Sequence, residues 1–236
     1  MKRRLGLVGT AALGLVLALA GPAAAAAETI YVPDDFNPAL SDTRATGHYD
    51  VVGTGLRIWT DGAVGSQNKV AEYVDTDTPL SEVGDPSLEY TNTSGTIAPG
   101  YQLYVDFDGD GTNDGILVGE KVYNGNWWLN NAADDDVKAG APHTGGGSGS
   151  NWYGTLDEWS KAFPGAVVTA FGFSLGSGVL GDWVINAINF AGDRYTFAEH
   201  TVLKSKNECK DGGWSTSTKP VFKNQGSCVS YFATSK

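Results

Sequence analysis

The stretch "GYQLYVDFDGDGTNDGILVGE", residues 100–120, sets two β-like segments around an acidic turn. In the first, Tyr101, Leu103, Val105 and Phe107 fall on one face, and Gln102, Tyr104 and Asp106 on the other. That period of two belongs to a strand with one buried and one wet face. Similar short apolar segments, broken by Gly, Pro, Asn and Asp, predict further strands over 49–60, 68–74, 115–123, 166–174, 183–190 and 193–198. Seven or more strands without alternating helices predict an all-β fold, an antiparallel β-sandwich of jelly-roll-like type, rather than a parallel α/β sheet.

One short helix is signalled in "GTLDEWSKAFPGA", residues 154–166. Thr155 and Glu158 have capping-box spacing, Leu156, Trp159 and Phe163 share a face, and Pro164 with Gly165 ends the run. The preceding segment, 139–154, is rich in Gly and Ser and reads as a slack connection or a binding loop that ends in Trp152 and Tyr153.

The ends differ from this body. Lys2, Arg3 and Arg4 precede a short apolar run and several Ala-x-Ala sites, which predicts a secretory signal peptide over 1–27 and a secreted, extracellular protein. No later apolar stretch has the roughly 18 residues of a bilayer span, so no membrane insertion is expected. Three of the 16 basic residues and none of the 27 acids precede Glu28, leaving 13 against 27, or −14, from there onward. Such a chain repels nucleic acid and anionic lipid. The body is expected over 28–200 and a small basic appendage over 201–236, closed by a Cys209–Cys228 disulfide. Within that appendage a helix is predicted from Ser205 to Gly212 and a second from Pro220, with Val221, Gln225, Cys228 and Phe232 on one face.

The acidic turn has the ligand order of a calcium loop. Counting from Asp106, carboxylates occupy positions 1, 3, 5 and 9 (Asp106, Asp108, Asp110, Asp114), Gly111 takes position 6, and Thr112 offers a carbonyl at position 7. Leu117 stands where an EF-hand places its closing Glu. The bland alternative is a solvated turn whose Asp side chains bond their own backbone. The loop resembles those of thrombospondin type 3 repeats, FG-GAP repeats and dockerins, and this resemblance implies bound Ca2+.

Candidates for catalysis are weaker. Ser174 lies in "GFSLG", a G-x-S-x-G match, with Asp182 or Asp193 and then His200 following in hydrolase order. However, "GSGVLGDWV" cannot supply the helix that a nucleophile elbow needs. His48, His143 and His200 have no metal-site spacing, and Asp134, Asp135 and Asp136 read as a solvated acidic loop. Glu89, Glu120 and Asp157 are the acids from which a glycosidase pair would be drawn. Aromatic residues in polar surroundings point instead to sugar stacking: Trp127, Trp128, Trp152 and Tyr153, with one of the adjacent Trp127 and Trp128 buried by strand alternation. Trp59, Trp159 and Trp183 read as core or lid residues.

The segments "DFDGDGTNDGILVGE", "NWWLN", "AGAPHTGGGSGSNWYGTLDEW", "CKDGGW" and "FKNQGSCVSYF" together resemble a family of secreted actinobacterial proteins without an assigned activity. The resemblance implies export and a sandwich with a cysteine-closed end, and transfers no catalytic residue. Three functional readings follow: a non-catalytic binding module for polysaccharide or cell-envelope glycan, a structural surface or matrix protein, and an extracellular hydrolase.

Overall fold

The computed structural model describes residues 27–147 and 150–234. The leader expected over 1–27 lies outside the described residues except for Ala27, which opens the first strand. Twelve strands are described: β1 (Ala27–Tyr31), β2 (Gly47–Val52), β3 (Gly55–Thr60), β4 (Val70–Pro79), β5 (Ser87–Ser94), β6 (Gly100–Asp106), β7 (Gly115–Gly119), β8 (Trp127–Leu129), β9 (Tyr153–Gly154), β10 (Val167–Leu175), β11 (Asp182–Phe190) and β12 (Asp193–Ala198). They form two six-stranded sheets. Sheet A runs β1-β12-β11-β3-β2, with β5 also on β11; sheet B runs β4-β10-β6-β7-β8-β9.

Among the described residues every strand–strand pairing is antiparallel except β1 with β12, and an isolated parallel bridge joins His143 to Tyr153, which corrects the expectation of a purely antiparallel fold. Ala27 pairs with Arg194, and strands so distant in sequence have no tight hairpin to dictate their direction. The single strand expected over 49–60 is a hairpin instead. Val52 pairs with Gly55, and Gly53, at φ 64°, makes the reversal between them.

Burial follows the alternation of β6. Tyr101, Leu103 and Val105 are buried while Gln102 and Tyr104 are half-buried. Leu103 and Val105 share one buried cluster with Phe171 and Phe173 of β10, Leu56 and Ile58 of β3, and Ile185 of β11, so both sheets contribute to the same core. Phe171 of sheet B stacks on Phe190 of sheet A at 4.3 Å, and Tyr101 Oη donates to the Asn189 carbonyl at 3.2 Å. Removing such faces from water is the main stabilising term, at roughly 25 cal/mol per Å².

Helices are more numerous than the one expected in the body. α1 (Asp135–Gly140) occupies the acidic run that reads as loop, and Val137 anchors it in the core. Asp135 and Asp136 lie in its first turn, where negative charge suits the helix dipole. α2 (Leu156–Ala162) has the expected capping box, and Trp159 is fully buried, its indole N–H donating to the Trp127 carbonyl at 3.0 Å. In the appendage, residues 205–212 form turns rather than a helix, and α3 (Gln225–Thr234) starts five residues after Pro220. Cys209 and Cys228 are joined, with Cα atoms 5.8 Å apart, and pack with Phe222 in a cluster separate from the main core. The basic segment meets the acidic body through Lys219 and Asp34, 2.6 Å apart.

Candidate ligand face and acidic turn

The turn between β6 and β7 gathers three of its four carboxylates. Asp106, Asp108 and Asp114 each offer an oxygen, all within 4.8 Å of one another. Asp106 is only 4% exposed although it ends the wet face of β6, because the turn closes over it: the amides of Gly109 and Gly111 donate to its two oxygens at 2.7 and 2.8 Å. Gly109 and Gly111 both have positive φ, which lets the chain curl around that carboxylate. Asp114 Oδ2 accepts from the Phe107 amide at 2.6 Å, so the first and last parts of the turn are tied together.

Asp110 does not join the three. Its Oδ1 accepts from the amide and hydroxyl of Thr112, at 2.8 and 2.6 Å, and these bonds hold its carboxyl below the usual range. Asp114 moves the other way. Burial pushes its carboxyl up, the Phe107 amide partly offsets that, and the Asp108 and Asp106 charges raise it further. Three oxygens converging in this way form a hard donor set, the chemistry that calcium or magnesium takes.

A second arrangement lies on the outer face of sheet B. Tyr153, Trp128, Val118, Gln102, Gly172 and Tyr73 are successive register partners across β9, β8, β7, β6, β10 and β4, so one transverse row carries an aromatic residue at each end. Tyr73 and Val118 are buried, and the Tyr73 hydroxyl donates to Gln102 Oε1, while Trp128, Tyr153 and Gln102 stay half-buried. Trp128 Nε1 donates to Glu120 Oε2 at 3.0 Å, which fixes the ring. From Tyr153 to Gln102 the row crosses three strand intervals, roughly 14 Å.

Comparison with family models, curated proteins and solved structures finds no match. The chemistry of the chain is therefore read from its own geometry.

The four aromatic candidates separate. Trp127 faces inward as alternation requires, 6% exposed, with its ring on the edge of Tyr101 at 5.6 Å. Trp152 packs against the core, and Lys138 Nζ lies 5.6 Å from its ring centre. Trp128 and Tyr153 alone share the outer face. The glycine-rich segment beside them packs more closely than a slack connection: a Cβ at Gly147 would lie 2.5 Å from Trp128 Cβ, and one at Gly145 would lie 1.9 Å from Asn126 Oδ1. Gly147 permits that approach to Trp128, and Gly145, at φ 108°, holds a conformation that side-chain-bearing residues rarely adopt.

The residues in hydrolase order do not assemble. Ser174 Oγ, next to last in β10, is buried and has no hydrogen-bond partner among the described residues. Asp182 is held by Arg57 at 3.0 and 2.7 Å, and His200 bonds to Thr218 and stacks on Tyr31 at 4.0 Å. His48 pairs with Asp61 and stacks on Trp59, and His143 bonds to the Asn151 carbonyl. Trp59, expected in the core or as a lid, is half-buried outside the core, with Arg57 4.5 Å above its ring. Glu89 is clamped by Arg194 at 2.9 and 2.7 Å, which holds its carboxyl below the usual range. Glu89 and Glu120 line one cleft, whereas Asp157 lines an adjoining one and pairs with Lys161. Gln102 and Glu120 are the outer-face residues that sequence reasoning passed over as ligand groups; the alternation of β6 already put Gln102 on the wet side.

Proposed function

We propose that this is a secreted, calcium-stabilised, non-catalytic binding module of the actinobacterial family it resembles, built as a jelly-roll-like sandwich, with a polysaccharide or cell-envelope glycan as ligand. The observation that carries this reading is the outer-face row of Tyr153, Trp128 and Gln102, with Glu120 fixing the tryptophan. Indole and phenol rings offer flat surfaces for the C–H faces of a sugar, and amide and carboxylate groups bond hydroxyls. Trp128 and Tyr153 are one strand interval apart, about 5 Å, which suits the face of one sugar ring, and buried Val118 separates them from Gln102.

Calcium enters through the acidic turn. Asp106, Asp108 and Asp114 would hold the ion, and Asp110 with the Thr112 carbonyl belongs to the same loop pattern. The ion would neutralise carboxylates that otherwise repel one another, and so brace the β6–β7 hairpin on which Gln102 and Glu120 ride. Export accounts for the disulfide and for abundant calcium around the protein.

The test is an array of immobilised polysaccharides, probed with wild-type protein and with Trp128→Ala and Tyr153→Ala. Retention on at least one glycan, lost in Trp128→Ala and weakened in Tyr153→Ala, is expected. Equal retention by wild type and Trp128→Ala would remove the outer face from consideration.

A further inference from the structure

On the inner side of β8, away from Trp128, two clefts of about 560 Å³ each open between the sheets. Pro86, Ser87, Gly125 and Trp127 line both, so the two run into each other as one groove. One wall is the segment entering β5 of sheet A. The other is the β7–β8 connection of sheet B, and the first turn of α2 closes one end. Each half falls within the roughly 300–1,000 Å³ of small-molecule sites. Joined end to end, they suit a chain.

The lining selects the class of chain. Its charges nearly cancel: Glu89 is held by Arg194, Asp157 by Lys161 at 2.5 Å, and Glu120 precedes Lys121, so Asp85 alone is left over. A polyanion would meet surplus negative charge on an acidic body. An apolar ligand would strip water from hydrogen-bonding groups without replacing it. Those groups are several. Asn186 donates to Thr91 and keeps its oxygen as an acceptor, Glu120 uses one oxygen for Trp128, and Lys121 makes no ion pair among the described residues. Between them lie the rings of Tyr90 and Pro99.

We propose that this groove binds an extended neutral oligosaccharide. Glu120, Lys121 and Asn186 bond its hydroxyls, and the half-buried ring of Tyr90 takes its C–H faces. The proposal rests on the glycan reading above and adds a second contact region, connected to the outer face through Glu120, which lines the groove and accepts from Trp128.

Cellohexaose, xylohexaose, mannohexaose and chitohexaose are titrated calorimetrically into the full mature chain and into Ser87→Trp, Lys121→Met and Trp128→Ala. Ser87 is exposed at the junction of the two halves, so tryptophan there blocks the groove; Lys121→Met keeps the side-chain length and removes only the ammonium. Binding of at least one sugar with a Kd of about 1 mM or tighter, weakened about tenfold or more by each of the two groove variants, is expected. A melting curve identifies a Ser87→Trp protein that fails to fold, in which case Lys121→Met decides. Affinity that falls in Trp128→Ala but is unchanged in both groove variants overturns the groove and leaves the outer face standing. Affinity that falls only in the groove variants keeps the groove and removes the outer face. Absence of binding by all four sugars overturns the groove, whatever the polysaccharide array gives.

Discussion

Trp128 and Tyr153 stand directly opposite each other across the β8–β9 pair, while Trp127, one residue earlier, turns its ring into the core. The two tryptophans should therefore separate stability from binding. Trp127→Ala is expected to lose about 3–5 kcal/mol in urea unfolding, the range for a buried aromatic ring. Trp128→Ala is expected to lose only about 1 kcal/mol and to lose glycan retention. Equal losses of stability would mean that the inward and outward assignments are wrong.

The capping box of α2 makes a second case. Glu158 Oε2 accepts from the Thr155 amide at 2.8 Å and from the Thr144 hydroxyl at 2.6 Å, so one carboxylate ties the helix start to the glycine-rich segment. Thr155→Ala should cost about 1 kcal/mol. Glu158→Ala should also speed hydrogen exchange at residues 144–147, a local effect that loss of the cap alone would not produce.

What was legible in the chain followed from local rules. The alternation of Tyr101, Leu103 and Val105, the Thr155 to Glu158 spacing and the pair of cysteines each carry their meaning within a few residues. β5 did not announce itself because "SLEYTNTS" pairs only with β11 and lies largely exposed, so burial imposed no apolar alternation on it. The hairpin at Gly53 was hidden because Val52, Leu56 and Ile58 keep an even spacing through the turn, although Val52 is exposed. The acidic turn was readable as a motif, yet the separation of Asp110 from the other three depends on Thr112 bonds that spacing does not encode. Nothing local marks the groove, whose walls come from residues 80–90, 119–127 and 155–160 together with Pro99, Tyr101 and Asn186.

Acid should act through Asp42. Hydrogen bonds from Arg44, joined by Lys69, hold its carboxyl down at about 2 from an ordinary value of 3.8. A depressed value means that this stabilisation is present above the ordinary carboxylate range and is lost as pH falls through about 2. At 40% exposure the pair is worth less than about 1 kcal/mol at neutral pH. Urea midpoints of wild type and Asp42→Asn, followed from pH 6 downward, should converge as the pH reaches about 2. A constant gap would show that Asp42 contributes packing and not charge.

The Cys209–Cys228 bond closes a sequence separation of 19 around its own small cluster. Replacing both cysteines by serine should destabilise that region by about 3 kcal/mol in the loop-entropy model. Limited proteolysis is expected to cut within 201–234 while the main melting transition is retained. Collapse of the whole fold would instead make the appendage part of the body's cooperative unit.

The central claim is that a divalent ion at Asp106, Asp108 and Asp114 braces the sheet bearing the ligand face. Its most direct test is the melting temperature of the wild-type protein with calcium and after chelation, beside Asp114→Asn, in which the side-chain oxygen can still accept from Phe107. Calcium at 100 times its Kd should stabilise wild type by about 3 kcal/mol. Asp114→Asn should respond little and, once chelated, melt above chelated wild type, because one of three crowded charges is gone. An identical wild-type melt in both conditions, with no heat of calcium binding by calorimetry, would contradict the claim.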